Sequence, residues 1–208
     1  MKKLESSLVN MVLVLTGVAV IMGGVLAAVN SLTSGPIAQQ KDKALADGIK
    51  TVMACDNLNV AKTDTVRQTD AKGKEFVYVI YQTQDNEGND LGAAVESTTM
   101  GFGGDLKVLV GFNAEGEILG YTLLEHAETP GLGAKADQWF QKGQKGDIIG
   151  KSPAEALRVS KDGGQVDAIT ASTITSRAFL LAVNNAYNAY KATPLDGATG
   201  ATQQKKED

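Results

Sequence analysis

The chain has 208 residues, 43% of them hydrophobic and 21% charged, with a formal net charge of −4. That suits one folded domain with an appendage and excludes two ordinary domains, and a net-negative chain lacks the basic face that would make nucleic acid a main partner. One cysteine, Cys55, and one histidine, His126, exclude an internal disulfide, a thiolate metal cluster, a Cys-x-x-Cys redox pair and a multi-histidine metal site.

Residues 1–7 carry Lys2 and Lys3, and Leu8 to Val29 follow without a charge. At 1.5 Å per residue, about 22 helical residues cross the roughly 30 Å of hydrocarbon in a bilayer. Signal-peptide cores run about 7–15 apolar residues, so the length of 8–29 favours a retained transmembrane helix over a cleaved leader. The two lysines, set against Glu5, predict a short cytoplasmic N-terminus and a chain that lies outside after Asn30. Gly17, Gly23 and Gly24 either permit close approach of another helix or reflect the ordinary frequency of glycine in membrane spans.

Residues 30–53 read as a helical connector. Gly35-Pro36 predicts a turn, with Pro36 in the first turn of a new helix that runs to Met53 and carries Ile37, Ala44, Leu45, Ile49 and Val52. Cys55 reads as a small buried hydrophobe. From Glu75 the period becomes that of strands: Phe76–Tyr81, Leu91–Glu96, Leu106–Phe112 and Glu117–Leu124, the last two joined by Asn113-Ala114-Glu115-Gly116 as a hairpin. A short helix is expected from about Lys135, and Ser152-Pro153 with Glu155 reads as another helix start. Thr173 to Tyr190 is the strongest helix outside the span, with Phe179, Val183, Ala186, Tyr187 and Tyr190 at helical spacing. Residues 54–193 therefore read as one α+β domain, and 194–208 as a disordered tail with no apolar side chains to bury.

Three Gly/Thr-rich segments are candidates for chemistry. Thr98-Thr99-Met100-Gly101-Phe102-Gly103-Gly104-Asp105, with glycine at three of four successive positions, permits close approach of backbone to a ligand, or is only a loop. His126-Ala127-Glu128-Thr129-Pro130-Gly131-Leu132-Gly133 leaves a strand through a tight turn, or is a hairpin exit with no function. The hydroxyl-rich run from Asp167 to Ser176 enters the strong helix. Its hydroxyls either cap that helix or help its unpartnered first-turn N–H groups hold an anion.

Asp167-Ala168-Ile169-Thr170-Ala171-Ser172-Thr173 before a helix resembles the flavinylation motif of the FMN-binding domain family. GFGGDLKVLVGF and ETPGLG are similar to that family's two other signatures, in the same order. With its N-terminal membrane helix, the chain over about residues 1–192 is similar to the G subunits of Rnf electron-transport complexes. The C subunits of sodium-pumping NADH:quinone reductases are a close second.

The resemblance implies that Thr173 holds FMN through a phosphoester bond, made by a separate magnesium-dependent flavin transferase with FAD as donor. It implies that Asp167 opens the motif, that Thr170, Ala171 and Ser172 complete it, and that Glu128, Thr129, Leu132 and Gly133 lie beside the isoalloxazine. Gly103 and Gly104 fall in the glycine loop. The family's usual Gly-Ala before the acceptor is Ala171-Ser172 here. The implied role is an electron-transfer subunit rather than a catalyst alone, among other membrane and redox subunits that connect ferredoxin and NAD with sodium or proton movement. The implied place is the bacterial inner membrane, with the soluble domain on the periplasmic side.

The residues themselves agree with a passive acceptor. A threonine hydroxyl needs a base to become a nucleophile, and neither His nor Lys stands immediately beside Thr173 in sequence. Asp196-Gly197-Ala198-Thr199-Gly200-Ala201-Thr202 fits the acceptor pattern by letters, but no apolar-periodic helix follows it to shape a pocket. The rivals are an anchored flavin reductase acting alone, for which no residues remain to make a second catalytic domain, and an assembly subunit whose Gly/Thr segments are only caps and turns.

Overall fold

The computed structural model describes residues 8–69 and 75–191. The chain divides into two compact units, Met1–Ala44 and Leu45–Asp208.

The first unit is the greater part of helix α1 (Leu8–Met53). It is the one described helix long and apolar enough to cross a membrane, and its apolar stretch buries nothing within the chain. The turn expected at Gly35-Pro36 is absent, and Pro36 lies inside the helix. Proline removes one backbone hydrogen bond and crowds the preceding turn. Neighbouring hydroxyls take up carbonyls there: Thr33 Oγ1 donates to Val29 O at 2.9 Å and Ser34 Oγ to Ser31 O at 3.3 Å. Both hydroxyls bond back to carbonyls of the turn that precedes them, a pattern that often bends helices.

The second unit is built on an antiparallel five-stranded meander in the order β1-β2-β3-β4-β5. Its strands are β1 (Leu58–Thr69), β2 (Glu75–Asp85), β3 (Asp90–Met100), β4 (Asp105–Phe112) and β5 (Ile118–His126). The four strands expected from the sequence are present, each longer than its apolar run. β1 was not expected; it pairs with β2 from Leu58↔Asp85 to Thr69↔Glu75. Its mostly exposed pattern explains the omission, because an edge strand with little burial shows no apolar alternation. The β4–β5 hairpin turns at Gly116, where φ is +94°.

β4 is buried on both faces. Leu106, Val108, Val110 and Phe112 join the main core with helix α3 (Thr173–Tyr190). Leu109 faces the other way and packs with Ala94 of β3 against Ile49, Val52 and Met53 at the end of α1. Gly111 and Gly120, paired across β4 and β5, make room for that helix end. A Cβ on Gly120 would sit 2.9 Å from Val52 O, and one on Gly111 would collide with the same oxygen. Cys55, just past the helix, is only half-buried.

The short helix expected near Lys135 is α2 (Ala136–Trp139). It is anchored by Tyr121, whose hydroxyl donates to Ala136 O at 2.7 Å, and by Phe140 stacked on Phe179 at 4.3 Å. The helix expected at Ser152-Pro153 does not form. Asn184 of α3 binds both backbone groups of Leu157 at 2.9 Å and so takes up the bonds a helix would need. A single 3₁₀ turn, Ser160–Asp162, follows, and a backbone bridge joins Val159 to Val166.

Candidate functional site

The β3–β4 turn, the exit of β5 and the start of α3 meet at one end of the sheet, and the meeting point is Glu128. This carboxylate is only 6% exposed. Its Oε1 accepts the N–H of Phe102 at 2.7 Å and of Gly103 at 3.2 Å, and its Oε2 accepts the Thr175 hydroxyl at 2.7 Å. One side chain therefore joins all three Gly/Thr-rich segments. The glycines around it are required by space. A Cβ on Gly101 or Gly133 would run into the carboxylate, and one on Gly103 into the carbonyl of Ala127.

Beside this knot lies a cavity of about 370 Å³, whose walls include Phe102, Glu128, Thr129, Leu132, Gly133 and residues 171–175. Two of its apolar walls are open to solvent: Phe102 is 70% exposed and Leu132 41%. Apolar walls with a few convergent polar groups are the ordinary make-up of a small-molecule site.

At the start of α3, Ser172 occupies the N-cap position and makes no capping side-chain bond. The hydroxyls of this run are used elsewhere. Ser176 Oγ accepts the N–H of Ile169 at 2.9 Å and donates to Ser172 O, while Thr175 is committed to Glu128. The capping reading therefore fails, and the first-turn N–H groups next to the cavity have no side-chain cap. Ala171 sits at φ +61°, a left-handed conformation that favours glycine and costs other residues roughly 1–2 kcal/mol.

Thr173 is half-buried on the cavity wall, and Lys161 Nζ donates to its Oγ1 at 3.2 Å. No lysine stands beside Thr173 in sequence, yet folding brings one there from twelve residues upstream. Nothing in the local pattern signals this, because the approach depends on the 3₁₀ turn.

Of the residues singled out from sequence, Glu128, Thr129, Leu132, Gly133, Ala171, Ser172 and Thr173 share the cavity wall. Gly103 and Gly104 lie outside it and make room for Ala127 instead. Asp167 and Thr170 are exposed and also lie off the wall. Asp167 accepts a hydrogen bond from Ser160 Oγ at 3.2 Å, and its backbone oxygen accepts the Trp139 indole N–H at 2.8 Å. Phe102, Ile174, Thr175 and Lys161 were missed. Phe102, Ile174 and Thr175 lie inside the singled-out segments without a role of their own there, whereas Lys161 has no local signal. Thr202 lies outside the described residues.

The FMN-binding domain family matches residues 101–188, and the RnfG N-terminal region matches residues 1–52. The G subunit of the ion-translocating oxidoreductase complex of Yersinia pestis is 37% identical over 172 residues, which cover 78% of this chain and 80% of that protein. The chain belongs to this family of G subunits. Its relatives in Shewanella baltica (strain OS223) and Vibrio cholerae serotype O1 (strain M66-2) are each 34% identical. The first alignment covers 81% of this chain and 82% of the relative, the second 84% and 86%. These likenesses decide for the G subunit over the C subunit of a quinone reductase. For a family member with an FMN-binding domain, the cavity is a suitable host. Its walls combine apolar Phe102, Leu132 and Ile174 with polar Glu128, Thr129, Ser172, Thr173 and Thr175, and Lys161 Nζ, from its turn, meets the Thr173 hydroxyl.

Proposed function

We propose that this chain is a single-pass subunit of an ion-translocating ferredoxin:NAD oxidoreductase, anchored by residues 8–29, whose outer domain carries FMN covalently on Thr173. FMN supplies one- and two-electron transfer when bound. The chain's own residues do the rest. Phe102, Leu132 and Ile174 shield the ring from water, Glu128 holds the three wall segments in register, and the open α3 terminus receives the phosphate. Other membrane and redox subunits provide the electron donor and acceptor. A magnesium-dependent flavin transferase installs the group, because the side chain that meets Thr173 Oγ1 is no base: Lys161, as an ammonium, has no lone pair to accept the proton. A covalent bond keeps the site filled outside the cytoplasm, where no ligand pool would refill it by mass action.

The observation that carries the reading is the Thr173 hydroxyl on the wall of a cavity shared by all three motif segments. The test is the full chain co-produced with a flavin transferase. Fluorescence of the denatured band and peptide mass should place one FMN on the Thr173 peptide. Thr173→Ala should lose it with the fold intact, and Thr173→Ser should keep part of it. Undiminished band fluorescence in Thr173→Ala would refute the assignment.

A further inference from the structure

Each residue of the turn Ser160-Lys161-Asp162 is hydrogen-bonded to the segment that holds Thr173, four bonds in all. Ser160 Oγ donates to Asp167 Oδ1 at 3.2 Å, and Lys161 Nζ donates to Thr173 Oγ1 at 3.2 Å. Asp162 accepts two hydrogen bonds from Arg177 at 2.7 Å, on Nε and Nη2. The Asp162 carboxylate is fully buried, and its hydrogen bonds raise the pKa of the Arg177 guanidinium, so this clamp stays charged. A bidentate Arg–carboxylate pair fixes orientation as well as position. Lys161 is thus flanked by two tied residues, and its exposed ammonium is directed at one oxygen.

That arrangement has no evident structural purpose. An exposed lysine–hydroxyl contact contributes little to stability, since both groups are well solvated. The turn is already held by Asp162 and by the Val159–Val166 bridge. The same arrangement suits a phosphate ester on that oxygen. The non-bridging oxygens of such an ester lie within hydrogen-bond reach of a cation beside the bridging one. It also gives Asp167 a task, since it lies away from the cavity yet opens the motif: it ties down the turn that carries the ammonium.

We propose that Lys161 is a positioning residue for the flavin phosphate, pairing with the diphosphate of FAD as it arrives and with the phosphodiester left on Thr173. This rests on covalent attachment at Thr173. In the transfer, Thr173 Oγ1 bonds to the flavin-side phosphorus of FAD, the bond from that phosphorus to the AMP oxygen breaks, and AMP leaves. The hydroxyl proton passes to a base on the transferase, and no electrons change hands. The product keeps one negative charge beside the Lys161 ammonium.

The experiment uses the full chain in detergent with flavin transferase, FAD and magnesium, comparing parent, Lys161→Met and Lys161→Arg. Lys161→Met should load flavin about fivefold more slowly, a barrier change of about 1 kcal/mol. The ³¹P resonance of its loaded phosphodiester should shift from the parent position. Lys161→Arg should restore most of the rate and bring the resonance back toward the parent. A Lys161→Met chain with parent rate and parent resonance removes Lys161 from the site and leaves attachment at Thr173 standing. Equal slowing in both variants with an unmoved resonance also overturns the proposal, because the turn would then matter only structurally. A parent chain that takes no flavin on the Thr173 peptide defeats both this inference and the attachment reading.

Discussion

Ala171 and Glu128 hold the most concentrated chemistry of the site, one through strain and the other through bonding. Ala171 adopts φ +61° where the family's flavinylation motif ordinarily has glycine. Ala171→Gly should therefore stabilise the folded chain by about 1 kcal/mol, the left-handed penalty less glycine's added chain entropy. Denaturant unfolding would read this as a raised midpoint, and an unchanged or lowered midpoint would show that Ala171 bears no strain. Glu128 carries the opposite expectation. Glu128→Ala leaves two backbone donors and one hydroxyl without their acceptor in a largely buried place. The loss should be about 2–4 kcal/mol, from a charged acceptor with several donors. Amide exchange at Phe102 and Gly103 should quicken more than elsewhere, and uniform exchange would disprove the brace.

At the scale of elements, the sheet is held between two helices by different means. α3 supplies large side chains such as Phe179 and Leu180, whereas the end of α1 presses its backbone against Gly111 and Gly120. Gly111→Ala should cost about 1–3 kcal/mol by overpacking, because the opposing atom is a carbonyl oxygen that cannot swing aside. Urea unfolding of the full chain in detergent measures this, and a neutral result would mean that the contact is loose. Elements with one strong period were legible in the sequence: α3 has the bounds its apolar spacing predicts, and β4 follows from its β-branched run. Elements whose form depends on distant partners were not. β1 shows no apolar stripe and takes its form from pairing with β2, Pro36 lies inside α1 rather than opening a new helix, and Asn184 holds Leu157 in a non-helical segment after Ser152-Pro153. The site divides the same way. Its motif segments announce themselves locally, while Lys161 reaches Thr173 only through a turn clamped by Arg177.

For the molecule as a whole, charge at the two ends of the span sets the expected orientation. Lys2 and Lys3 on one side of a single apolar span predict that the N-terminus stays in the cytoplasm and the cavity faces outward. Reporter fusions after residue 191 should be active only in their extracytoplasmic form, and cytoplasmic activity there would reverse the assignment. On the function proposed above, outward placement suits a covalently held cofactor, which needs no resupply by diffusion. It also requires the partner redox centres to lie within electron-transfer reach of that side of the membrane.

Glu128 has one more consequence, which concerns the order of events in the life of the chain. Its carboxylate joins Phe102, 26 residues upstream, to Thr175, 47 residues downstream. Contacts at such separations require the intervening loops to close, at a cost in chain entropy. Until then neither the cavity nor the rim that presents Thr173 exists in its final shape. An enzyme that recognises the shaped rim rather than the letters of the motif would modify only chains that have already folded. With attachment at Thr173 as proposed above, loading would then act as an inspection step that leaves misfolded copies without their cargo.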